Sequence, residues 1–200
     1  MKRSSFLPRT FCLAVALLLA GCASAPSARF YALTPLDQKE SQASSPQGAI
    51  PRSVSIAPVE IPDYLDRPQI VTRDGRNELI LAEFDRWAGS LQDNITTVLM
   101  DNLSLLLGSD RIFIHPRVRT EKSDYLLVLR ILRLDCTPGD QVLLKAQWTV
   151  FSDQDRVGVS RMATLTEPLA DNRYETLAAA ASSALAQLSR EIARDLRKQP

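Results

Sequence analysis

The chain has one histidine, three cysteines and seven glycines in 200 residues, and only 6% of its residues are aromatic. Each scarcity removes a class of function. A zinc site needs three or four nitrogen, sulfur or oxygen ligands. The single histidine, His115, stands beside Pro116 with no second histidine or cysteine near it in sequence, so no metal ligand set is expected. A Ser-His-Asp site would have to use the same His115, and the sequence contains no Gly-x-Ser-x-Gly elbow. With so few glycines, scattered singly, there is neither a Walker loop nor a dinucleotide-binding fingerprint. The carboxylate pairs Asp63/Asp66 and Asp153/Asp155 fall in turn-like stretches, where turn chemistry accounts for them. No catalytic residue, cofactor or metal is therefore assigned, and a binding role is expected in place of an enzymatic one.

The cysteines are equally constraining. Cys12 lies in the apolar run Phe11–Ala20, which follows a basic segment containing Lys2, Arg3 and Arg9. That arrangement is a secretory leader with an apolar core too short to span a bilayer. The leader ends Leu19-Ala20-Gly21-Cys22. A cysteine directly after small residues marks a lipoprotein signal, in which the Cys22 thiol receives a diacylglycerol, cleavage frees its amine, and residues 1–21 are lost. Two or more acyl chains hold a protein stably at a membrane, whereas one is marginal. Ala23 and Ser24 follow Cys22. The absence of an aspartate there favours the outer membrane, with the protein facing the periplasm. Cys136 would then be the one thiol left, so an intrachain disulfide is excluded despite the oxidising compartment. At the end of an apolar strand pattern, Cys136 is expected to be an inert, half-buried thiol.

Loss of the leader leaves 21 basic against 23 acidic residues, a net charge of −2. No phosphate-binding surface follows from that balance, and nucleic acid is not an expected partner. Residues 22–29 read as a tether that extends at most about 25–29 Å. Residues 30–200 are long enough for a single domain with one hydrophobic core.

Within that domain the periodicities predict an α+β fold. Strands are expected at Phe30–Leu33, at Val54–Val59, and as a hairpin from Ile70 to Ala82 around Asp74-Gly75. Residues 35–51 read as a flexible loop. Trp87, Leu91, Ile95, Val98, Leu99, Leu103 and Leu106 recur at helical spacing, predicting a helix that opens near Asp85 as N-cap and stops at Gly108. A strand over Arg111–His115 and a three-strand meander over Tyr125–Leu134, Val142–Phe151 and residues 157–166 follow. The last helix is predicted over Asn172–Arg197, capped by Asp171, with Arg194, Arg197 and Lys198 at its carboxyl end. The order places two main helices on one face of an antiparallel sheet.

The candidate binding surface is the stretch Ile61–Pro68. Prolines make it non-helical and stiff, and a stiff loop with an aromatic tip loses little entropy on docking. Pro62, Asp63, Tyr64 and Leu65 are the residues assigned to partner binding there.

Three blocks together resemble a known family. They are Phe30-Tyr31-Ala32-Leu33-Thr34-Pro35 soon after Cys22, Val59-Glu60-Ile61-Pro62-Asp63-Tyr64-Leu65, and Trp87-Ala88 with Leu91 and Asn102-Leu103-Ser104. The chain is similar in these blocks, and across nearly all of its mature length, to the PqiC-like lipoproteins, auxiliary lipoprotein components of ABC-type transport. The resemblance implies an outer-membrane lipoprotein that works with an inner-membrane transport component and an MCE-domain protein forming a tunnel between the membranes, in the transport of lipids or other hydrophobic molecules. It also implies that homo-oligomers can form. It leaves open whether the partner system is Pqi-type or Mla-type. Two other roles are compatible with the residues: a periplasm-facing lipid-binding carrier, which would need an apolar cavity, and a general outer-membrane assembly lipoprotein.

Overall fold

The computed structural model describes residues 27–37, 52–114, 123–152 and 158–199. The leader, Cys22, His115 and the turn at 153–156 lie outside them.

The described residues form two sheets and two long helices. Strand β1 is Arg29–Tyr31, β2 is Val54–Ile56, β3 is Gln69–Asp74 and β4 is Glu78–Trp87. Helix α1 covers Leu91–Leu107, and β5 is Ile112–Ile114. The meander is β6 (Tyr125–Thr137), β7 (Gln141–Ser152) and β8 (Val159–Pro168), and α2 covers Tyr174–Arg197. The fold is α+β, as the periodicities imply, but its strands are divided between a three-stranded sheet, β1-β4-β3, and a five-stranded sheet, β5-β2-β6-β7-β8.

The meander pairs antiparallel throughout. The short strands do not. β1 runs parallel to β4, and β2 runs parallel to both β5 and β6. Parallel pairing requires a long crossover, and each of these pairs has one: the chain between β2 and β5, for instance, contains the β3–β4 hairpin and α1. The period-2 pattern reveals a strand's faces but not its partner, so it does not distinguish these parallel edges from antiparallel ones.

On β7 the residues Val142, Leu144, Ala146, Trp148 and Val150 are all buried, as their alternation predicts. They meet α2, whose buried stripe includes Leu177, Ala181, Leu185, Leu188, Ile192 and Leu196. The small residues Ala178, Ala181, Ala184 and Ala186 are buried as well. With no side chain beyond Cβ, they let the helix lie close to the sheet. α1 packs against α2 and β5. The three-stranded sheet joins the larger one where β3 lies against β6.

Two helix starts differ from the predicted ones. Asp85 does not cap α1. It lies in β4, is buried, and accepts hydrogen bonds from the Tyr31 hydroxyl at 2.8 Å and from Arg29 at 3.0 Å. β4 continues to Trp87, and the Gly89-Ser90 pair makes the break. Ser90 is the cap: its hydroxyl accepts the Asp93 N–H at 3.2 Å. The four-residue step from Trp87 to Leu91 matches helical spacing by coincidence, because a strand end and a helix start both face the same core. The stop is as predicted. Gly108 adopts the left-handed conformation (φ 60°), and its N–H bonds to the Ser104 carbonyl. Asp171 likewise stands before the helix start without occupying the cap. It accepts the Arg173 N–H at 2.9 Å, and Arg173 holds the cap position.

Of the loop predicted over 35–51, residues 38–51 lie outside the described residues, and residues 35–37 are held against the core at Leu36. Leu33 and Leu36 are buried. Their backbone is held by side chains of both helices. Asn94 Oδ1 accepts the Leu33 N–H at 2.7 Å, Ser182 Oγ accepts the Thr34 N–H at 3.1 Å, and Asn102 Oδ1 accepts the Leu36 N–H at 2.7 Å. Asn102 also donates through Nδ2 to Ser189 Oγ at 3.1 Å. Only 1% of Asn102 is exposed. An extended segment with no strand partner is thus strapped across α1 and α2. Replacing Asn102 by Ala orphans the Leu36 N–H in a buried site, a cost of about 2–3 kcal/mol. The expected result is a lower denaturant midpoint with an unchanged slope; a midpoint within error of the parent would show that the strap adds nothing.

Candidate functional site

The proline-rich block Ile61–Pro68 builds a compact turn against β6. Pro62 has φ −62° and ψ 145°, an extended setting that cannot continue into helix on its own side. It is followed by a single 3-10 turn, Asp63–Leu65. The turn closes through Leu65 N–H to the Pro62 carbonyl (2.9 Å), Asp66 N–H to Asp63 (3.2 Å) and Arg67 N–H to Leu65 (2.8 Å).

The four residues assigned to partner binding do not share one face. Leu65 is 3% exposed and belongs to the core. Tyr64 is half-buried against that core. Its hydroxyl donates to Asp135 Oδ1 at 3.3 Å and accepts the Leu134 N–H at 3.4 Å. Asp63 is exposed and Pro62 partly so. The aromatic residue therefore anchors the block inward, and Pro62 and Asp63 are what it presents outward, next to exposed Asp66 and Pro68.

Asp135 is the electrostatic centre of this region. It is 5% exposed and lies on β6 just before buried Cys136. Arg73 of β3 donates to it at 2.9 Å, and Arg133 donates to its other oxygen. Burial pushes the Asp135 carboxyl upward, but the two guanidinium groups outweigh burial and hold it below the usual carboxylate range. Burial is also the main reason that the Tyr64 phenol sits above its ordinary value; its bond from the Leu134 amide pulls the other way. The ion pair ties the small sheet, through β3, to the large one, through β6, and Tyr64 adds the proline block to the same node. The sequence motifs do not point to this node. Its one local signal is Asp135 itself, a carboxylate between the apolar positions Leu134 and Cys136, which only a partner can make tolerable in a core.

The Cys136 thiol is fully buried, and burial raises it to about 12. It is a packed side chain with no nucleophilic character near neutral pH, in keeping with the inert thiol expected from its position.

Two open grooves indent the surface. One, of about 300 Å³, is lined by Trp148, Arg161, Met162, Arg194, Asp195 and Lys198. The other, of about 290 Å³, runs along the strap beside Ser182 and Ala186. Both grooves, which lie among the described residues, are open and partly polar. No described helix is long and apolar enough to cross a membrane.

The sequence that builds this fold matches a defined class of protein. The profile of the ABC-type transport auxiliary lipoprotein component family covers residues 31–193, from Tyr31 of β1 to Ala193 near the end of α2. The chain belongs to that family. It is similar to the intermembrane transport lipoprotein PqiC of Escherichia coli (strain K12), 22% identical over 185 residues, which are 92% of this chain and 95% of that one. The PqiC of Shigella flexneri matches to the same extent. Among solved structures the fold is shared with an uncharacterized protein (TM-score 0.69, 20% identity, 86% of this chain and 99% of that one). It is shared also with XCC0632 from Xanthomonas campestris (TM-score 0.66, 19% identity, 83% and 93%).

Replacing Asp135 by Asn leaves Arg73 without its counter-charge and should cost about 3 kcal/mol. Because the native carboxyl is held low, its contribution is complete above the ordinary carboxylate value near 3.8 and is lost as pH falls through the lower folded value. The variant should therefore show a shallower loss of stability below pH ~4, measured by denaturant titration across pH. An acid limb identical to the parent's would remove Asp135 from this role.

Proposed function

We propose that this chain is a non-enzymatic auxiliary lipoprotein of an intermembrane transport system. In this reading Cys22 carries the lipid and holds the domain at the outer membrane, facing the periplasm. There it docks the MCE-domain tunnel that links it to the inner-membrane transport component. The observation that supports the reading best is the match of family and PqiC relatives over nearly the whole domain. The strap adds a mechanical argument. An anchor at Cys22 pulls on the chain that enters at Arg29, and Leu33–Leu36 is fastened to both helices by Asn94, Ser182 and Asn102. A load on the anchor meets β1 first, and the strap directly behind it passes the load to both helices.

Docking is assigned to the outward edge of the proline block. Pro62 and Asp63 make the contact, while Tyr64 and Leu65 hold the block rigid from below. That division makes two kinds of substitution distinguishable. Leu65→Ala should destabilise the domain by about 2–4 kcal/mol, as large-to-small core changes do. Asp63→Lys should leave stability within about 0.5 kcal/mol while weakening capture of the MCE partner. Undiminished capture by Asp63→Lys, with an unchanged melting profile, would take the block out of the interface.

The anchor is tested separately. Cells fed labelled palmitate should yield a labelled mature protein in the outer-membrane fraction, and Cys22→Ser should abolish the label. An unlabelled protein released with the periplasmic contents would end the proposal.

A further inference from the structure

The β3–β4 hairpin carries, directly behind its polar turn, an apolar stretch that nothing in the described structure covers. Leu79 is 37%, Ile80 43% and Leu81 47% exposed. They are consecutive on β4, so they point alternately to both faces of the ribbon, and no packing on one face of the sheet could bury all three. Large apolar side chains clustered in this way mark a contact surface. The register closes the hairpin between Asp74 and Glu78, around Gly75 with φ 59°. Arg76, in the turn, is exposed.

The topology fixes where this tip lies relative to the anchor. β1 is parallel to β4, with Phe30 opposite Arg86, and Arg86 lies opposite Gln69 of β3. β3 then runs from Gln69 to Asp74 toward the tip, a distance of about 17 Å at ~3.4 Å per residue. Because β1 is antiparallel in sense to β3, moving backward along the chain from Phe30 moves toward the tip. Cys22 is eight residues before Phe30, a span of at most about 26–29 Å. The N-terminal end of β1 thus points toward the exposed hairpin, and eight residues are enough to span the distance to its end.

We propose that the β3–β4 hairpin tip is a second membrane contact. Leu79, Ile80 and Leu81 enter the lipid interface beside the acyl chains on Cys22, while the polar turn, with Arg76 between the exposed carboxylates Asp74 and Glu78, stays in the hydrated headgroup layer. The proposal rests on the anchoring at Cys22 argued above. It gives the domain a defined attitude, with the hairpin toward the lipid. A tether alone would let the domain tumble, whereas two contacts separated by a rigid ribbon fix an orientation. The apolar face needs no protein partner to be covered, because the chain's own anchor brings it to an apolar phase.

The test uses the full mature lipoprotein in vesicles of phosphatidylethanolamine and phosphatidylglycerol. Ile80→Cys is labelled with an environment-sensitive fluorophore; Cys136 is buried and does not compete. Leu81→Cys is the second position, in case the first variant folds poorly, and Val159→Cys on exposed β8 is the control. The expected result is a blue-shifted emission at position 80 or 81 with about twofold or greater quenching by spin-labelled lipids, as for side chains in the headgroup–acyl boundary, and neither effect at 159. Protein that floats with the vesicles while both tip positions remain water-exposed would overturn the membrane contact and leave the anchor standing. Protein that fails to float would overturn the anchor and this proposal together. A blue shift that follows protein concentration without lipid would assign the tip to a second copy of the chain and overturn the proposal as well.

Discussion

Asn102 holds this structure together in a way that no apolar residue could. It sits among the buried residues of α1, yet its amide has both an acceptor and a donor to place. The acceptor takes the Leu36 N–H and the donor reaches Ser189 of α2. One side chain therefore joins the two helices and the segment laid across them. A buried amide with both ends satisfied gains what the low-dielectric interior adds to hydrogen bonds, and any displacement of the three parts leaves a polar group unpaired. The apolar core could tolerate a helix sliding by a fraction of a turn. This bond pattern could not.

The same logic recurs at Asp135. Arg73 and Arg133 neutralise it, Tyr64 caps it, and the result is that the small sheet and the proline block are positioned against β6. Replacement of such a charged cluster by apolar residues is often tolerated energetically, so stability alone is a weak reason for its presence. What it supplies is a fixed position for the proline block, whose outward edge is assigned to the partner. Polar nodes at Asn102 and Asp135 thus set the geometry of a core whose bulk stabilisation comes from leucine, isoleucine and alanine.

Two ends of the molecule then acquire distinct tasks. β1 and the strap take the chain from the side of the proposed anchor onto the helices, and the β3–β4 ribbon extends beside that route with Leu79, Ile80 and Leu81 bare. The proline block lies at the opposite end of β3 from the tip, since β3 begins at Gln69, directly after Pro68. The two proposed contacts, lipid at one end and a protein at the other, together describe an adaptor.

Much of this architecture is legible in the order of the amino acids. Alternation along Val142–Val150 and the apolar stripe of the last helix identify their buried faces, because each residue there has one face to the core. The Asp-Gly pair identifies the hairpin, and Gly108 the helix stop, because few residues accept those backbone angles. Partner choice is not legible in the same way. Nothing in Val54–Ile56 says that it lies between two parallel neighbours, and nothing local says that Asp85 is a buried strand residue and no helix cap. The inward turn of Tyr64 depends on Asp135, seventy-one residues away. Those features arise where segments distant along the chain meet, and local periodicity carries no information about which distant group will satisfy a buried donor.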